Sequence, residues 1–187
     1  MNFIGDLSLE DAHILEWYGS RATRILEFGA GGSTQIFAQC NPDLLISVET
    51  SQEWIDRTKK NIERVRPCTD PIFVAFGSHP RQEYDLIFVD GMWDLRKDFA
   101  QSTWPLLAHY GQMIFHDTRR WFDAENVMMT AKMFFDEVHS IQMNEENSNC
   151  AVIQKRPKIE YVNWNYSEGK PLWAYGIGEP PNDEEGK

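Results

Sequence analysis

Acidic residues and one histidine lie at or just after the ends of the apolar runs of this sequence. They are Glu27, Glu49, Asp90 and the pair His116-Asp117. A carboxylate accepts hydrogen bonds from hydroxyl and ammonium groups, and it also binds hard cations such as Mg²⁺. An imidazole titrates at about 6.5, so a histidine beside a hydroxyl is suited to remove its proton. These residues therefore have the chemistry to bind a polar ligand and to assist a proton transfer.

A glycine turn follows the first of these acids. The run Glu27-Phe28-Gly29-Ala30-Gly31-Gly32-Ser33-Thr34 is typical of a strand end, a tight turn and the start of a helix. Glycines let the backbone bend sharply and approach a ligand, and Ser33 and Thr34 can cap the helix. A dinucleotide-binding turn would have a third glycine near Thr34, which this chain lacks. The acid before the first glycine suits a cationic ligand better than a pyrophosphate.

Short buried strands must position these residues. Five nearly continuous apolar runs predict strands at residues 24–28, 44–48, 72–75, 86–89 and 112–115. Helical patterns alternate with the strands, which predicts an α/β fold with a doubly wound, mostly parallel sheet. Ligands bind outside the carboxyl ends of the strands in such a sheet, so the polar residues above are expected to converge there.

Capping residues mark the predicted helices. Ser8 and Asp11 have the spacing of a capping box for a helix that ends near Gly19. Further helices are predicted up to Arg64, over residues 95–107 and over residues 124–135, with Ser51, Asp94 and Asp123 as their caps.

The end of the chain changes in pattern. Residues 138–143 and 150–155 predict two antiparallel strands joined by a polar connection. The following segment contains Trp164, Trp173, prolines and an acidic end, without a helical or strand period. We therefore predict one domain over residues 1–156 and an extended arm over residues 157–187. The aromatic side chains of the arm are expected to pack on the domain or on a second subunit, as in a homodimer.

The overall composition restricts the partners. Among 187 residues, 18 Lys and Arg stand against 29 Asp and Glu, and the net charge of -11 disfavours nucleic-acid binding. The three cysteines lack metal-site spacing and indicate reduced thiols, which predicts a cytoplasmic protein. No segment approaches the roughly 18 apolar residues of a membrane helix, and no signal-peptide pattern begins the chain. We expect neither a nucleic-acid nor a membrane partner.

Four stretches, taken in order, resemble the motifs of class I S-adenosylmethionine (SAM)-dependent methyltransferases. They are Glu27-Phe28-Gly29-Ala30-Gly31, Val48-Glu49, residues 84–91 and residues 111–117. The resemblance covers about residues 8–155 and implies a Rossmann-like, seven-stranded sheet with a C-terminal antiparallel hairpin. A nearer similarity is to small-molecule and saccharide O-methyltransferases. It rests on Gly31-Gly32-Ser33-Thr34, on Asp90-Gly91 with Arg96, and on His116-Asp117 with Arg119 and Arg120.

This resemblance implies that the glycine turn binds SAM. Gly29 and Gly31 would line its methionine and ribose part, Glu27 would lie near its ammonium group, and Glu49 would accept both ribose hydroxyls. The family often has an acid after the third strand for the adenine amine, and Ser78 or a backbone group would substitute here. The complete set implied for the cofactor is Glu27, Gly29, Ala30, Gly31, Ser33, Glu49, Thr50, Ser78 and Asp90.

The acceptor is expected beside Asp90, His116 and Asp117. His116 is interpreted either as the general base or as a strand-end histidine bonded to the backbone. Arg96 and Arg119 would anchor an acidic group of the acceptor, or else be surface arginines that pair with Asp94, Asp98 or Asp123. Asp90 and Asp117 also resemble the positions that hold Mg²⁺ in metal-dependent O-methyltransferases, although Thr118 stands where another ligand is expected.

The expected function is therefore SAM-dependent O-methylation of a small-molecule or saccharide hydroxyl. Two alternatives stay open at this point. One is a catalytically inactive, methyltransferase-like binding or assembly module. The other is an NAD-dependent oxidoreductase on a similar sheet, against which the missing third glycine argues.

Overall fold

Seven strands form one sheet in the computed structural model, which describes residues 5–65, 67–144 and 147–157. The strands are β1 (Arg24–Phe28), β2 (Leu44–Val48), β3 (Ile72–Val74), β4 (Tyr84–Val89), β5 (Leu107–Phe115), β6 (Val138–Met143) and β7 (Ala151–Lys155). Their order across the sheet is β3-β2-β1-β4-β5-β7-β6. The first five strands pair in parallel, and β7 pairs antiparallel with both β5 and β6. The predicted seven-stranded α/β fold with its C-terminal hairpin is confirmed.

Five helices connect or precede the strands. They are α1 (Leu9–Gly19), α2 (Gly32–Gln39), α3 (Gln52–Val65), α4 (Arg96–Thr103) and α5 (Trp121–Met133). Short 3₁₀ turns at Trp104–Leu106 and Phe135–Glu137 lead from α4 into β5 and from α5 into β6. The capping box of α1 is formed as predicted, because Ser8 and Asp11 exchange hydrogen bonds between their side chains and backbone N–H groups.

Each face of the sheet carries its own apolar core. Successive residues of a strand point to opposite faces, so Ile25 and Leu26 of β1 belong to different cores. One core includes Phe99, Trp104 and Val127 from α4, its 3₁₀ extension and α5. The other core includes buried residues of α1, α2 and α3, namely Leu15, Phe37 and Ile62. Burial on both faces explains why the sequences of the central strands are almost wholly apolar.

The boundaries around α4, β5 and α5 differ from the prediction. Proline has no N–H for an α-helical bond, and at Pro105 the chain has already tightened into a 3₁₀ turn. β5 begins at Leu107, and a register shift opposite Tyr84 accommodates its polar first half. Asp94 does not cap α4, since the residue at the cap is Leu95, which makes no side-chain cap bond.

Asp123 is likewise not a cap. The helix α5 begins earlier than predicted, at Trp121, and Asp123 lies buried in its first turn. The side chain of Asp123 bonds arginines, as described below.

The chain divides into two units, Met1–Pro157 and Lys158–Lys187. The second unit, and with it the aromatic part of the predicted arm, lies outside the described residues. Among the helices that the structure describes, none combines the length and apolar character that crossing a membrane requires.

Candidate functional site

The loops after β1 and β4 meet through two glycines. Gly29 and Gly91 have φ angles of 91° and 77°, in the left-handed region that glycine adopts without strain. A Cβ atom built on Gly29 would lie 2.6 Å from the backbone nitrogen of Gly91, so a side chain there would force the loops apart. The two loops can therefore pack backbone against backbone and form one floor at the carboxyl ends of the central strands.

Glu27 lies beneath this floor. Its side chain is fully buried, and its carboxylate accepts hydrogen bonds from the hydroxyls of Ser33, Thr34 and Ser47. Burial raises the pKa of Glu27 to about 7, and the three hydroxyl bonds oppose that rise. Thr34 Oγ1 in turn accepts the N–H of Gly31 at 2.9 Å. The structure thus places Glu27 as the anchor that ties the glycine turn to β2, below the turn rather than on its open side.

An open pocket of about 460 Å³ lies above the glycine turn. Most of the residues expected to bind a cofactor line it, namely Gly29, Ala30, Gly31, Ser33, Glu49, Thr50 and Asp90. Trp54 of α3 and the segment Gly5 to Leu7 before α1 complete its wall. The parallel register of β1, β2 and β4 explains the convergence, because the carboxyl ends of these neighbouring strands reach the same edge.

A small apolar slot adjoins this pocket and shares several of its residues. Its additional lining consists of Val48, Phe76 and Phe99, with Met92 common to both spaces. The ring of Phe76 lies 4.9 Å from that of Phe99, between centroids. Ser78 was expected from the sequence to contact the adenine amine. It is exposed, and its backbone N–H donates to the carbonyl of Ala75. The sequence analysis missed Phe76, although its place in the loop after β3 was a usable signal.

Glu49 follows β2 at the edge of the pocket. One carboxylate oxygen accepts the N–H groups of Thr50 and Ser51 at 2.7 and 2.8 Å, and the other accepts the N–H of Ala30 at 3.3 Å. These bonds fix the side chain across the mouth of the glycine turn. The first oxygen has both of its acceptor sites filled by these N–H groups, whereas the second has one site left, so Glu49 can still receive a hydroxyl donor from the pocket.

A cluster of charged side chains occupies the edge beside β4 and β5. The guanidinium of Arg96, on α4, is buried and contacts Asp90 at 2.5 Å, Asp117 at 3.0 Å and Asp123 at 2.8 Å. Asp90 is the member that reaches the open pocket, with 26% of its side chain exposed. Arg96 is therefore enclosed among acids. It is not free to contact an acceptor, which was one of the two roles expected from the sequence.

His116 is buried within the same cluster. Its Nε2 lies 3.4 Å from Asp11, and its Nδ1 lies 3.5 Å from Asp90 and 3.6 Å from Asp117. Burial opposes a charge on the imidazole, but the hydrogen bonds to Asp11 and Asp90 and the nearby carboxylates together raise the pKa of His116 to about 10. A histidine that holds its proton at neutral pH is a poor general base, so this geometry favours the ion-paired role.

Asp11 is a member of this cluster that the sequence analysis did not identify. Burial alone would raise its pKa, but the hydrogen bonds to His116, Ser8 and Asn149 lower it well below its usual range. Its capping box was visible in the sequence, yet the same carboxylate also accepts the N–H of Asn149 at 2.6 Å. No spacing rule connects residues that are 105 positions apart, as Asp11 and His116 are.

Exposed side chains surround the cluster on its solvent side. Arg119 is exposed, and its guanidinium donates to the carbonyl of Asn147, while Arg120 pairs with Asp117 and Asp123. Large exposed aromatic residues follow β4 and β5, namely Trp93, Trp121 and Phe122. The rings of Trp121 and Phe122 stack with centroids 3.8 Å apart. These aromatic surfaces lie after the same strand ends that carry Asp90 and His116.

Comparison with known proteins supports the fold assignment. No protein-family profile matches the chain, and no curated protein matches its sequence. Solved structures do match. The O-methyltransferase from Bacillus cereus in complex with SAH has a TM-score of 0.64 at 15% identity, covering 81% of this chain and 82% of that one. The O-methyltransferase TomG from Streptomyces achromogenes, involved in tomaymycin synthesis and solved with SAM, has a TM-score of 0.64 at 12% identity, with the same coverage.

An N-methyltransferase is also among the similar structures. NodS from Bradyrhizobium japonicum has a TM-score of 0.58 at 17% identity, covering 80% of this chain and 96% of that one. At such identities the similarity establishes the fold, and it does not define the atom that would be methylated.

Proposed function

We propose that this chain, whose fold is that of class I SAM-dependent methyltransferases, transfers a methyl group from SAM to a hydroxyl of a small molecule or saccharide. The observation that carries the proposal is the open pocket on the glycine turn, with Glu49 fixed across its mouth and an apolar slot beside it. This combination of a close backbone approach, a hydroxyl acceptor and an apolar slot suits an adenosyl ligand.

The residues of the pocket fit the chemical parts of that cofactor. The backbone of Gly29 and Gly31, with only the methyl group of Ala30 between them, offers a close approach for the methionine and ribose part, and Glu49 offers one free acceptor site for a ribose hydroxyl. The slot itself is only about 30 Å³, too small for the adenine ring, but the half-exposed side chains of Phe76 and Met92 at its mouth offer apolar contact for the adenine. The cofactor would supply an electrophilic methyl group on a sulfonium centre.

An acidic residue must also receive the ammonium group of the cofactor. Glu27 is enclosed by three hydroxyls below the turn, whereas Asp6 and Asp90 line the open pocket. The oxygens of Asp90 already face Arg96 and His116, so we assign the ammonium contact to the exposed Asp6, and we assign to Glu27 the support of the turn.

The acceptor side offers aromatic surfaces and a fixed carboxylate. Trp93, Trp121 and Phe122 are between 55% and 71% exposed, which is unusual for such large apolar rings. Flat rings of this kind pack against the apolar face of a sugar or against another ring system. Asp90, between the pocket and the cluster, would orient the acceptor hydroxyl toward the methyl group, so that alignment supplies most of the catalysis.

One observation favours a second candidate, a nucleoside-binding module without transfer. His116 and Asp90, the titratable side chains beside the expected acceptor, already have charged partners. The pKa of His116 is raised, and although burial opposes the charge of Asp90, its hydrogen bond to His116 and the nearby cations keep its pKa below the ordinary value. Neither group is a ready base for a neutral hydroxyl. Such a module would bind SAM or SAH and methylate no acceptor.

Ligand binding and transfer can be measured separately. In a thermal-shift series, SAH is expected to stabilise the chain and NAD to leave it unchanged. Glu49→Gln is expected to weaken SAH binding by about 10-fold or more, because a hydrogen bond to a charged group contributes about 1.5–3 kcal/mol. Glu53→Gln, at an exposed acid one turn away, is the matched control and should bind SAH as the wild type does.

Transfer of a labelled methyl group from SAM is then tested with saccharide and aromatic hydroxyl acceptors. Stabilisation by NAD alone would exclude the proposed function. Binding of SAH without transfer to any acceptor would favour the binding module.

A further inference from the structure

Three carboxylates surround the guanidinium of Arg96. Its Nη2 donates to Asp90, and its Nη1 donates to both Asp117 and Asp123. The side chain is 6% exposed, so this positive charge is largely shielded from solvent. It comes from the first turn of α4 and is permanent, because arginine does not lose its proton in proteins.

The remaining carboxylate oxygens also face N–H donors. Asp90 Oδ2 and Asp117 Oδ1 lie 3.5 and 3.6 Å from His116 Nδ1. Asp117 Oδ1 also accepts the side-chain amide N–H of Asn149 at 3.2 Å. The amide oxygen of Asn149 is engaged elsewhere, since it accepts the backbone N–H of Arg119 at 2.9 Å. The amide therefore presents nitrogen, not oxygen, to the cluster.

This donor pattern does not fit Mg²⁺. The cation needs about six oxygen ligands near 2.1 Å, and it has little affinity for a shell of N–H groups. Asp90, His116 and Asp117 do lie close enough together to suggest a metal site. However, the oxygens that would coordinate the metal are those that Arg96 and His116 contact. The Mg²⁺ expected at Asp90 and Asp117 would have to displace a buried guanidinium.

We propose that Arg96 is a built-in cation that takes the place of a divalent metal between Asp90 and Asp117, so that the reaction of this chain requires no metal. The inference rests on the proposed function for its catalytic meaning. Arg96 acts as a positioning residue, because it holds Asp90, which reaches the pocket, and does not itself line that pocket. The exposed Arg120 also pairs with Asp117 and Asp123, so removing both guanidinium groups leaves three neighbouring carboxylates, which is a set of ligands that Mg²⁺ or Mn²⁺ prefers.

The test measures Mn²⁺ binding to the full chain by electron paramagnetic resonance, which needs neither SAM nor an acceptor. The wild type and Lys97→Ala, a control that removes a positive charge from the same helix, are expected to bind Mn²⁺ only weakly. Because Arg120 also pairs with Asp117 and Asp123, the test variant is Arg96→Ala with Arg120→Ala, and Arg120→Ala alone should bind Mn²⁺ as weakly as the wild type. The double variant is expected to gain one Mn²⁺ per chain at least 10-fold more tightly and to lose it when Asp117→Asn is added. Among these proteins, Mg²⁺ should raise the melting temperature of the double variant alone.

Two results would overturn the proposal. One is a wild type that binds one Mn²⁺ per chain in competition with Mg²⁺ and loses it in Asp117→Asn. The other is a folded variant with both Arg96→Ala and Arg120→Ala that gains no site. Where this double variant does not fold, the wild-type titration still decides, and Arg96→Lys, which keeps one cation, should continue to exclude Mn²⁺. Failure of the chain to bind SAH would remove the proposed function without altering these metal measurements.

Discussion

Asp11→Asn tests whether a carboxylate on α1 keeps His116 protonated within the charged cluster. In the wild type, one oxygen of Asp11 accepts the backbone N–H and the hydroxyl of Ser8 at 2.9 and 2.7 Å and lies 3.4 Å from His116 Nε2. The other oxygen accepts the N–H of Asn149 at 2.6 Å. Asparagine keeps one acceptor for Asn149 but turns an NH₂ group toward Ser8 and His116. The substitution therefore removes the charge and the half of the capping box that the Asp11 side chain supplies, without changing the volume, while the Ser8 hydroxyl can still accept the backbone N–H of residue 11.

The size of the effect follows from these contacts. The bonds that Ser8 and His116 lose are hydrogen bonds to a charged group, and loss of such a bond costs about 1.5–3 kcal/mol. Since the contact with His116 is long, we expect a total loss of about 2–4 kcal/mol in the free energy of unfolding. For a chain of this size, 1 kcal/mol changes the melting temperature by about 2–4 °C, so a fall of roughly 5–15 °C is expected.

The loss should depend on pH in a definite direction. His116 has a pKa of about 10 in the folded chain and 6.5 as its ordinary value. Between these values the folded chain holds a proton that the unfolded chain has released, so stability falls as the pH rises. The contribution is complete below about pH 6.5 and disappears as the pH passes 10. Because Asp11→Asn lowers the pKa of His116, the stability difference from the wild type should shrink between pH 7 and 10.

Urea unfolding at several pH values and an NMR titration of the His116 ring measure both quantities. Ser8→Ala is the first control, because it removes the cap hydroxyl and leaves the carboxylate beside His116. Glu10→Gln, at an exposed acid in the same turn, is the second and should change neither quantity. A folded Asp11→Asn variant whose His116 pKa stays near 10 would refute the role given to Asp11.

Three further substitutions test the pocket and its support. Gly29→Ala should abolish SAH binding in calorimetry, because the new Cβ would lie 2.6 Å from the backbone of the loop after β4. The control is Gly77→Ala, which has a similar φ of 78° but open space around it, and it should bind SAH normally. Ser47→Ala should destabilise the fold by about 1–3 kcal/mol in urea unfolding, since Glu27 loses a buried donor, and should raise the pKa of Glu27 above 7. Phe76→Ala should weaken SAH binding by about 10-fold in calorimetry and leave the melting temperature of the unliganded chain nearly unchanged, since the ring is half exposed.

The central strands could be predicted to the residue where burial on both faces made the sequence continuously apolar. The bounds of the central strands β1 and β2 are those that the pattern indicated, whereas β4 begins two residues earlier than predicted. The bounds of β6 were also predicted correctly, although β6 is an edge strand and mostly exposed. β5 was predicted too short because His109 and Tyr110 interrupt its apolar pattern, and the register shift that accommodates them depends on the partner strand. Elements defined by pairing with a distant segment carry no complete local signal.

The candidate site divides in the same way. Gly29, Glu49 and Asp90 converge because parallel topology brings successive strand ends together, and this could be reasoned from the sequence. Most partners of the charged side chains could not be predicted, although Asp123 was among the acids proposed as an alternative partner of Arg96, and it does contact Arg96. Whether Arg96 faces an acceptor or three buried acids depends on the angle at which α4 packs, and that angle is decided by the core beneath it. Glu27 was placed correctly along the chain, but its three hydroxyl partners direct it below the turn.

The segment before α1 couples ligand binding in the pocket to local opening of this helix. Gly5, Asp6 and Leu7 line the pocket, and Asp11 fastens the first turn of the helix that follows to Asn149 and His116. A bound ligand keeps its contacts with this segment only while α1 stays docked, so ligand binding and local opening of α1 are linked equilibria. Occupancy of the pocket is therefore expected to slow amide hydrogen exchange in α1. In turn, the frequency with which α1 opens is expected to set an upper limit on how long the ligand resides there.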